Sequence, residues 1–421
     1  MIRLIYTFLL LLASPILLYG LYKPKAGKPV FGKRWKEHFG ITPKLASSDS
    51  PVWLHAVSVG EVIAAIPIIK AIKEKSPNQA IIVTTTTSTG AEQVERIAHL
   101  VEHRYMPIDF SFAVKGFLKA IQPQKLLIME TELWPNTLHT VAKFNIPIFV
   151  LNARLSHKSF VNYQKVRPLF DLLSKHISHT CCQNKDDAER FIKLGISPER
   201  ISVTGSVKFD ISIPEEIIKS SQQLRQKLGL NRPVWIAAST HKGEDEQVLA
   251  AHKAVLQTHP NCLLILVPRH PERFDDVYAL CQNEGFNTVR RTADQHLTEQ
   301  SQVYLGDTMG ELLTLCGASD ICFMGGSLIG KKVGGHNVLE PIALGVPTIT
   351  GPSYYNFTDI VTGLKSLHAI YIAEDSSKLA NILNDWLCNP SASQTFSSKA
   401  LDFLQQNSGA INKTINRLGY E

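Results

Sequence analysis

Three short segments in the first half of the chain carry residues suited to chemistry. Ser58-Val59-Gly60-Glu61 sets a carboxylate behind a glycine, at the head of an apolar helical pattern. A carboxylate there can serve as a stabilising charge at a helix start, or as a general base. The helix dipole is expected to lower the Glu61 pKa and keep the group ionised at neutral pH. Met129-Glu130-Thr131-Glu132-Leu133-Trp134-Pro135 places two carboxylates where an apolar run ends. That position is costly unless the charges are hydrogen-bonded or used. Thr204-Gly205-Ser206-Val207-Lys208-Phe209-Asp210 supplies an amine, Lys208, ahead of a polar stretch.

The second half reads as an anion site with a nucleoside attached. Gly334-Gly335-His336-Asn337-Val338-Leu339-Glu340-Pro341 sets two glycines before Asn337, a capping residue type, and a short apolar helix. A helix N-terminus suits a phosphate, and Glu340 one turn in can accept from a ribose diol. An ordinary capped helix would use the same glycine turn. Pro268-Arg269-His270-Pro271-Glu272-Arg273 pins an arginine between prolines, and Arg269 can bind phosphate bidentately. Gly306-Asp307-Thr308-Met309-Gly310-Glu311-Leu312 reads as a cap with a free helix start, and Gly325-Gly326-Ser327 ends another apolar run. Neither GxGxxG nor GxxxxGK[ST] occurs, so a dinucleotide enzyme and a P-loop ATPase are unsupported. No Asp-x-Asp pair suggests an obligatory metal, and neither a metal nor a cofactor is expected.

These segments need elements to hold them. Apolar strand-like runs at Val52–Val57, Ala80–Thr85, Lys125–Met129, Ile146–Leu151, Val234–Ala238, Leu263–Val267 and Ile321–Met324 alternate with helical patterns. The alternation predicts an α/β chain with parallel sheets covered on both faces. An internal echo supports two similar halves. Pro51-Val52-Trp53 leads through Gly60-Glu61 to Ile81, and Pro233-Val234-Trp235 leads through Gly243-Glu244 to Leu263. The expected organisation is a Rossmann-like domain over 45–210 and another over 230–405, with Phe209–Ser221 as linker. A C-terminal helix over 397–418 would pack back on the first domain. Ligands of such folds bind at the carboxyl ends of the strands, here in a cleft that both halves would face.

The chain has 421 residues and a net charge of +7, which favours an anionic partner. Nucleic acid is not that partner, because no basic block is interleaved with aromatics. Leu4–Tyr22 carries no charge and is long enough to cross a hydrocarbon core. Lys23, Lys25, Lys28, Lys33, Arg34 and Lys36 follow it, with Arg3 alone in front. This bias predicts an anchor over 1–22 with the body on the cytoplasmic side, near anionic lipids. Pro15 and Gly20 also suit a segment lying in the inner leaflet. The seven cysteines show neither CxxC nor zinc spacing and read as reduced, buried thiols.

The motifs together resemble a known family. SVGE (58–61), METELWPN (129–136), NARLS (152–156), TGSVKFD (204–210), LVPRHPERF (266–274), GDTMGEL (306–312) and GGHNVLEP (334–341) are similar to those of the 3-deoxy-D-manno-octulosonic acid (Kdo) transferases of lipopolysaccharide synthesis. The resemblance runs from the apolar N-terminus to the last helix, in the family order. It implies a GT-B fold: two Rossmann-like domains facing a cleft, with an N-terminal membrane-associated helix. It implies an inverting transfer of Kdo from CMP-Kdo, a donor substrate and not a cofactor, to the tetra-acyl glucosamine disaccharide bisphosphate lipid A precursor. The setting implied is the bacterial inner membrane, with the body in the cytoplasm. Glu61 matches the general base, and Glu130 and Lys208 match positions that stabilise the transition state. Pro268 and Arg269, then Met309, Gly310 and Glu311, then Asn337, Val338, Leu339 and Glu340 match the CMP-contacting segments. Gly330-Lys331-Lys332-Val333 departs from the family by being longer and more basic. A nucleotide-sugar epimerase of the same architecture is the competing reading, and it would have no use for the Leu4–Tyr22 segment. A non-catalytic membrane scaffold would not need Glu61, Glu130, Lys208 and Arg269 together.

Overall fold

The computed structural model describes residues 2–23, 29–45, 50–293 and 297–420, so Lys25 and Lys28 of the basic run lie outside the described residues. The chain divides into two compact units, Met1–Asp210 with Asn407–Glu421, and Ile211–Gln406.

The first unit is built on seven parallel strands: β1 (Val52–His55), β2 (Ile81–Thr85), β3 (Glu102–Tyr105), β4 (Lys125–Met129), β5 (Ile148–Ala153), β6 (His179–Cys182) and β7 (Ile201–Val203). Their order is β3-β2-β1-β4-β5-β6-β7, which reverses direction between β1 and β4. That reversal opens a crevice at the carboxyl ends, where the loops after β1 and β4 emerge. The central strands β1, β4 and β5 are mostly apolar because helices cover both faces. Trp53 on β1 is fully buried, 4.5 Å from the Phe117 ring, and its Nε1 donates to Thr84 Oγ1 at 2.8 Å.

The second unit repeats the plan with β8 (Val234–Thr240), β9 (Leu263–Pro268), β10 (Thr288–Arg290), β11 (Val303–Leu305), β12 (Ile321–Met324), β13 (Thr348–Thr350) and β14 (Tyr371–Ile372). The order is β10-β11-β9-β8-β12-β13-β14, again all parallel, with the reversal between β8 and β12. The echo is visible in the pairing: Val52 faces Ile81 and Val234 faces Leu263. It ends at the third strand, since β3 pairs with β2 but β11, not β10, pairs with β9.

Two expected segments differ. The single C-terminal helix over 397–418 is two helices, Pro390–Asn407 and Ala410–Arg417. Gly409 breaks them at φ 92°, a conformation that costs an L side chain energy. The second helix belongs to the first unit, where Lys125 Nζ donates to Leu418 O at 2.9 Å. The linker expected over Phe209–Ser221 is shorter, because a helix begins at Glu215 and runs to Leu228.

The N-terminal helix Ile2–Tyr22 is long and apolar enough to cross a membrane, and none of its residues is buried. Polar contacts hold both of its ends to the first unit. Tyr6 Oη donates to Asp109 at 2.8 Å, Thr7 Oγ1 meets the Asn136 amide, and Tyr22 Oη lies 2.7 Å from His38 Nδ1.

Candidate active site

In the first unit the notable side chains sit at strand ends on either side of the reversal. Ser58 caps the helix Val59–Lys75, accepting from the Glu61 N–H at 3.3 Å. The Glu61 carboxylate turns back, accepting the Val57 N–H at 2.8 Å and the Ser58 hydroxyl at 2.9 Å. This reciprocal arrangement fixes the carboxylate at the helix mouth. Glu61 is nearly buried, at 7% exposure. Burial pushes its pKa up to about 7, against the lowering hydrogen bonds from Val57 and Ser58, and Glu132 and Glu130 add repulsion. The sequence expectation of a lowered pKa is therefore reversed. Removing a carboxylate from water outweighs both the donors and the dipole.

Glu130 takes φ 56°, a left-handed conformation rare outside glycine, directly after β4. Such strain is kept where surrounding structure holds it. Burial raises the Glu130 pKa while Lys208 and Arg154 pull it down, so both cations lie close enough to act on it. The neighbouring Glu132 accepts the Trp134 indole N–H at 3.1 Å, and that ring meets His55 edge-on. Lys208 lies on the short turn Val207–Phe209. Asn152 Oδ1 takes the Val207 N–H at 3.3 Å on one side of this turn, and Asp210 takes the Gly409 and Ile411 N–H groups on the other. The three expected residues Glu61, Glu130 and Lys208 thus form one electrostatic group. Asn152, at φ 50°, is a supporting residue that the sequence reading missed.

In the second unit Arg269 follows β9, exposed, with its backbone N–H on Thr240 O at 2.9 Å. Burial lowers the pKa of His336 and His241 and the Arg269 charge adds to it, while the same charge opposes the burial that raises Glu340. Pro268 ends β9 inside the core. Asn337 lies one residue before the cap position, which Val338 occupies; its Oδ1 accepts the Leu339 N–H at 3.2 Å, and its Nδ2 donates to Glu340 at 3.2 Å. Val338 and Leu339 are buried and anchor this turn by their apolar side chains. Met309 is exposed and Gly310 has φ 84°, so the turn there faces solvent. Glu311 is ion-paired to Arg291 at 2.9 Å, which holds its carboxyl below the usual range.

One reading of this half needs correction. The cap expected within the 306–312 segment is not formed, and Asp307 turns inward. Its buried carboxylate holds Arg290 Nε at 2.7 Å and the Thr292 N–H at 3.0 Å, and the helix starts only at Leu312. The Gly325-Gly326-Ser327 turn does not offer free donors either. The N–H groups of Gly326, Ser327 and Leu328 all point at the buried Glu244 carboxylate, at 2.7, 3.0 and 3.0 Å. Glu244 was missed as a site residue, although the echo of Gly60-Glu61 in Gly243-Glu244 marks its position. His241 and His336 were also missed; their Nε2 atoms lie 2.8 Å apart.

A family model described as 3-deoxy-D-manno-octulosonic-acid transferase matches residues 33–211, and one described as glycosyl transferases group 1 matches 231–402. A 3-deoxy-D-manno-octulosonic acid transferase of Haemophilus influenzae is 37% identical over 420 residues, covering 99% of this chain and 98% of that protein. The chain belongs to the Kdo transferase family. A second member, from Bordetella pertussis, is 32% identical and covers 88% of this chain and 87% of its own length. The Kdo transferase family places this chain among the glycosyltransferases of lipopolysaccharide biosynthesis. A solved UDP-GlcNAc 2-epimerase from Neisseria meningitidis covers 88% of this chain and 100% of its own, with a TM-score of 0.58 and 13% identity. That likeness is one of fold, the two-domain GT-B architecture, and does not support the epimerase reading.

Proposed function

We propose that this Kdo transferase moves Kdo from CMP-Kdo to a hydroxyl of the tetra-acylated, bisphosphorylated lipid A precursor, with inversion at the anomeric carbon. The observation that carries the mechanism is the Glu61 carboxylate, fixed by Val57 and Ser58 and pushed up to about 7 by burial. A sugar hydroxyl is a poor nucleophile until a base takes its proton. A base with a pKa near the working pH combines a large ionised fraction with useful basicity. Glu61 takes that proton as the hydroxyl attacks the anomeric carbon, and CMP leaves from the opposite face. Lys208 and Glu130 form the charged group beside this base. Lys208 offsets negative charge that develops in the transition state, and Glu130 holds the lysine there.

The donor falls to the second unit. Arg269 binds the phosphate, Glu340 accepts from the ribose, and Pro268, Met309, Gly310, Glu311, Asn337, Val338 and Leu339 shape the turns around the nucleotide. No metal is needed in this scheme, since Arg269 and Lys208 supply the positive charge.

The helix Ile2–Tyr22 seats the enzyme on the inner membrane with its body on the cytoplasmic side. Its surface, uncharged from Leu4 to Tyr22, and the basic residues after it support that reading. Contacts at Tyr6 and at Tyr22 hold both ends to one globular unit, which favours a helix lying in the leaflet over one crossing it.

Purified protein incubated with CMP-Kdo and the lipid A precursor tests the proposal. Mass spectrometry should find the lipid heavier by Kdo and CMP released in equal amount. CMP release without acceptor, or an unmodified lipid, would overturn it.

A further inference from the structure

One pair of side chains near Arg269 has no part in the scheme above. His241 lies in the loop after β8, and His336 in the glycine turn before the helix Leu339–Ala343. Their Nε2 atoms are 2.8 Å apart, and their rings are 10° from parallel with centroids separated by 5.1 Å. Stacked rings cannot bring ring atoms that close, so the two meet edge to edge in nearly one plane. Each is also held from the side. The His270 ring stands edge-on to His241 at 5.2 Å. A Cβ on Gly326 would lie 2.8 Å from His336 Cδ2, so only a glycine lets that turn close on the ring.

Two facing Nε2 atoms at hydrogen-bond distance need one proton between them. One ring donates from Nε2 and leaves its Nδ1 bare, while the other accepts at Nε2 and keeps its proton on Nδ1. The pair can gain one more proton, at the bare Nδ1, without losing the bond. A second would put N–H on both facing atoms and break it. The capacity is therefore one positive charge for the pair.

The groups facing the pair disfavour that charge. Burial, then neighbouring cations, lowers both imidazoles to about 4: His270, Arg273 and Arg269 act on His241, and Arg269, His241 and His270 act on His336. Two neighbouring carboxylates are otherwise engaged. Glu244 accepts backbone N–H groups, including that of His241, and Asp245 is ion-paired to Arg273. A donor carrying a phosphodiester and a carboxylate would reverse this balance by bringing negative charge beside Arg269.

We propose that the His241–His336 pair takes up one proton from solvent when the anionic nucleotide binds, and returns it when the nucleotide leaves. The proton enters at the bare Nδ1 of the donating ring. This rests on the assignment of the second unit as the donor site. The pair is then a positioning and charge-matching element of that site, and it makes donor binding pH-dependent. Affinity falls as pH rises through the pKa of the nucleotide-bound pair, by up to about tenfold per unit.

Calorimetry on the full-length protein tests this with cytidine 5′-methyl phosphate, a diester whose own phosphate does not titrate near neutrality. Titrations at pH 6.5 in buffers of different ionisation enthalpy give the number of protons exchanged. Wild-type protein should take up close to one proton per diester bound, and a His241→Gln/His336→Asn double variant should bind more weakly with no uptake. Binding by the wild type without uptake would overturn the proposal and leave the donor assignment intact. Equal uptake by the double variant would assign the proton elsewhere and also overturn it. Failure of the wild type to bind the diester would overturn the donor assignment, and the proposal with it. Imidazole 15N spectra of the wild type give an answer independent of the variant's folding. Two of its histidines should shift together toward the imidazolium signature on adding the diester, and unchanged histidine signals would contradict the proposal.

Discussion

Glu244 Oε2 accepts the Gly326 N–H at 2.7 Å across 82 positions of sequence. The same carboxylate takes the N–H groups of Ser327 and Leu328, so one buried anion shapes the whole turn after β12. A glycine-rich turn beside a nucleotide site suggests donors aimed at phosphate. Here they are spent inside the protein, which leaves Arg269 as the proposed phosphate ligand.

Removing the Glu244 carboxylate should collapse that turn. Glu244→Ala leaves several buried N–H groups unpaired, at about 1–3 kcal/mol for each. The expected result is a lower melting temperature and loss of CMP binding together. Scanning calorimetry with and without CMP checks this, and a variant that melts and binds normally would remove Glu244 from its structural role.

Arg269→Ala should behave differently, with the fold intact and the nucleotide weakened. Charge-assisted hydrogen bonds are worth about 1.5–3 kcal/mol, or roughly 10- to 150-fold in affinity. Titration calorimetry with CMP reads the change directly. Unchanged affinity would assign Arg269 to structure.

Much of this plan was legible in the sequence. Strands β1, β2, β4, β8, β9 and β12 are apolar runs buried on both faces, and their alternation with helices marked two parallel sheets. β3 was missed because Glu-His-Arg-Tyr at a sheet edge has no apolar run to detect. β14 has only two residues. Glu61 and Asn337 were readable because their partners lie within a few positions. Asp307 and the His241–His336 pair depend on contacts that sequence spacing cannot reveal, and Glu244 was marked only by the echo of Gly60-Glu61 in Gly243-Glu244. The sign of the Glu61 shift was missed for a related reason, since a local dipole can be read from sequence but the depth of burial cannot.

The helix Ile2–Tyr22 should govern membrane binding. Deleting residues 1–22 removes the exposed apolar surface and should abolish flotation with vesicles of anionic and zwitterionic phospholipid. The remaining body should keep its affinity for CMP. Undiminished flotation in high salt would show that another surface carries the attachment.

The raised pKa of Glu61 sets the pH profile. A general base must be ionised, so kcat/KM for the acceptor, measured at saturating donor, should rise tenfold per unit below about pH 7 and level off above it. Stability runs the other way. A carboxyl whose folded pKa exceeds its unfolded one binds more protons when folded, so its contribution is full below the unfolded value of 4.5 and declines as pH rises toward 7. Rate profiles and melting temperatures across pH 5–9 check both signs; a flat rate profile below pH 7 would contradict the assignment of Glu61.

The most direct measurement is turnover and donor affinity on one preparation of Glu61→Gln. Glutamine keeps the shape of the side chain and an oxygen to accept the Val57 N–H, its amide N–H can donate to Ser58 Oγ in place of the bond accepted there, and the proton-accepting power is lost. If Glu61 is the base, turnover falls about 10²- to 10⁴-fold, CMP affinity stays within a factor of two or so, and the melting temperature barely moves. If Glu61 only caps its helix, turnover stays near wild type while stability drops slightly, and that result would contradict the mechanism.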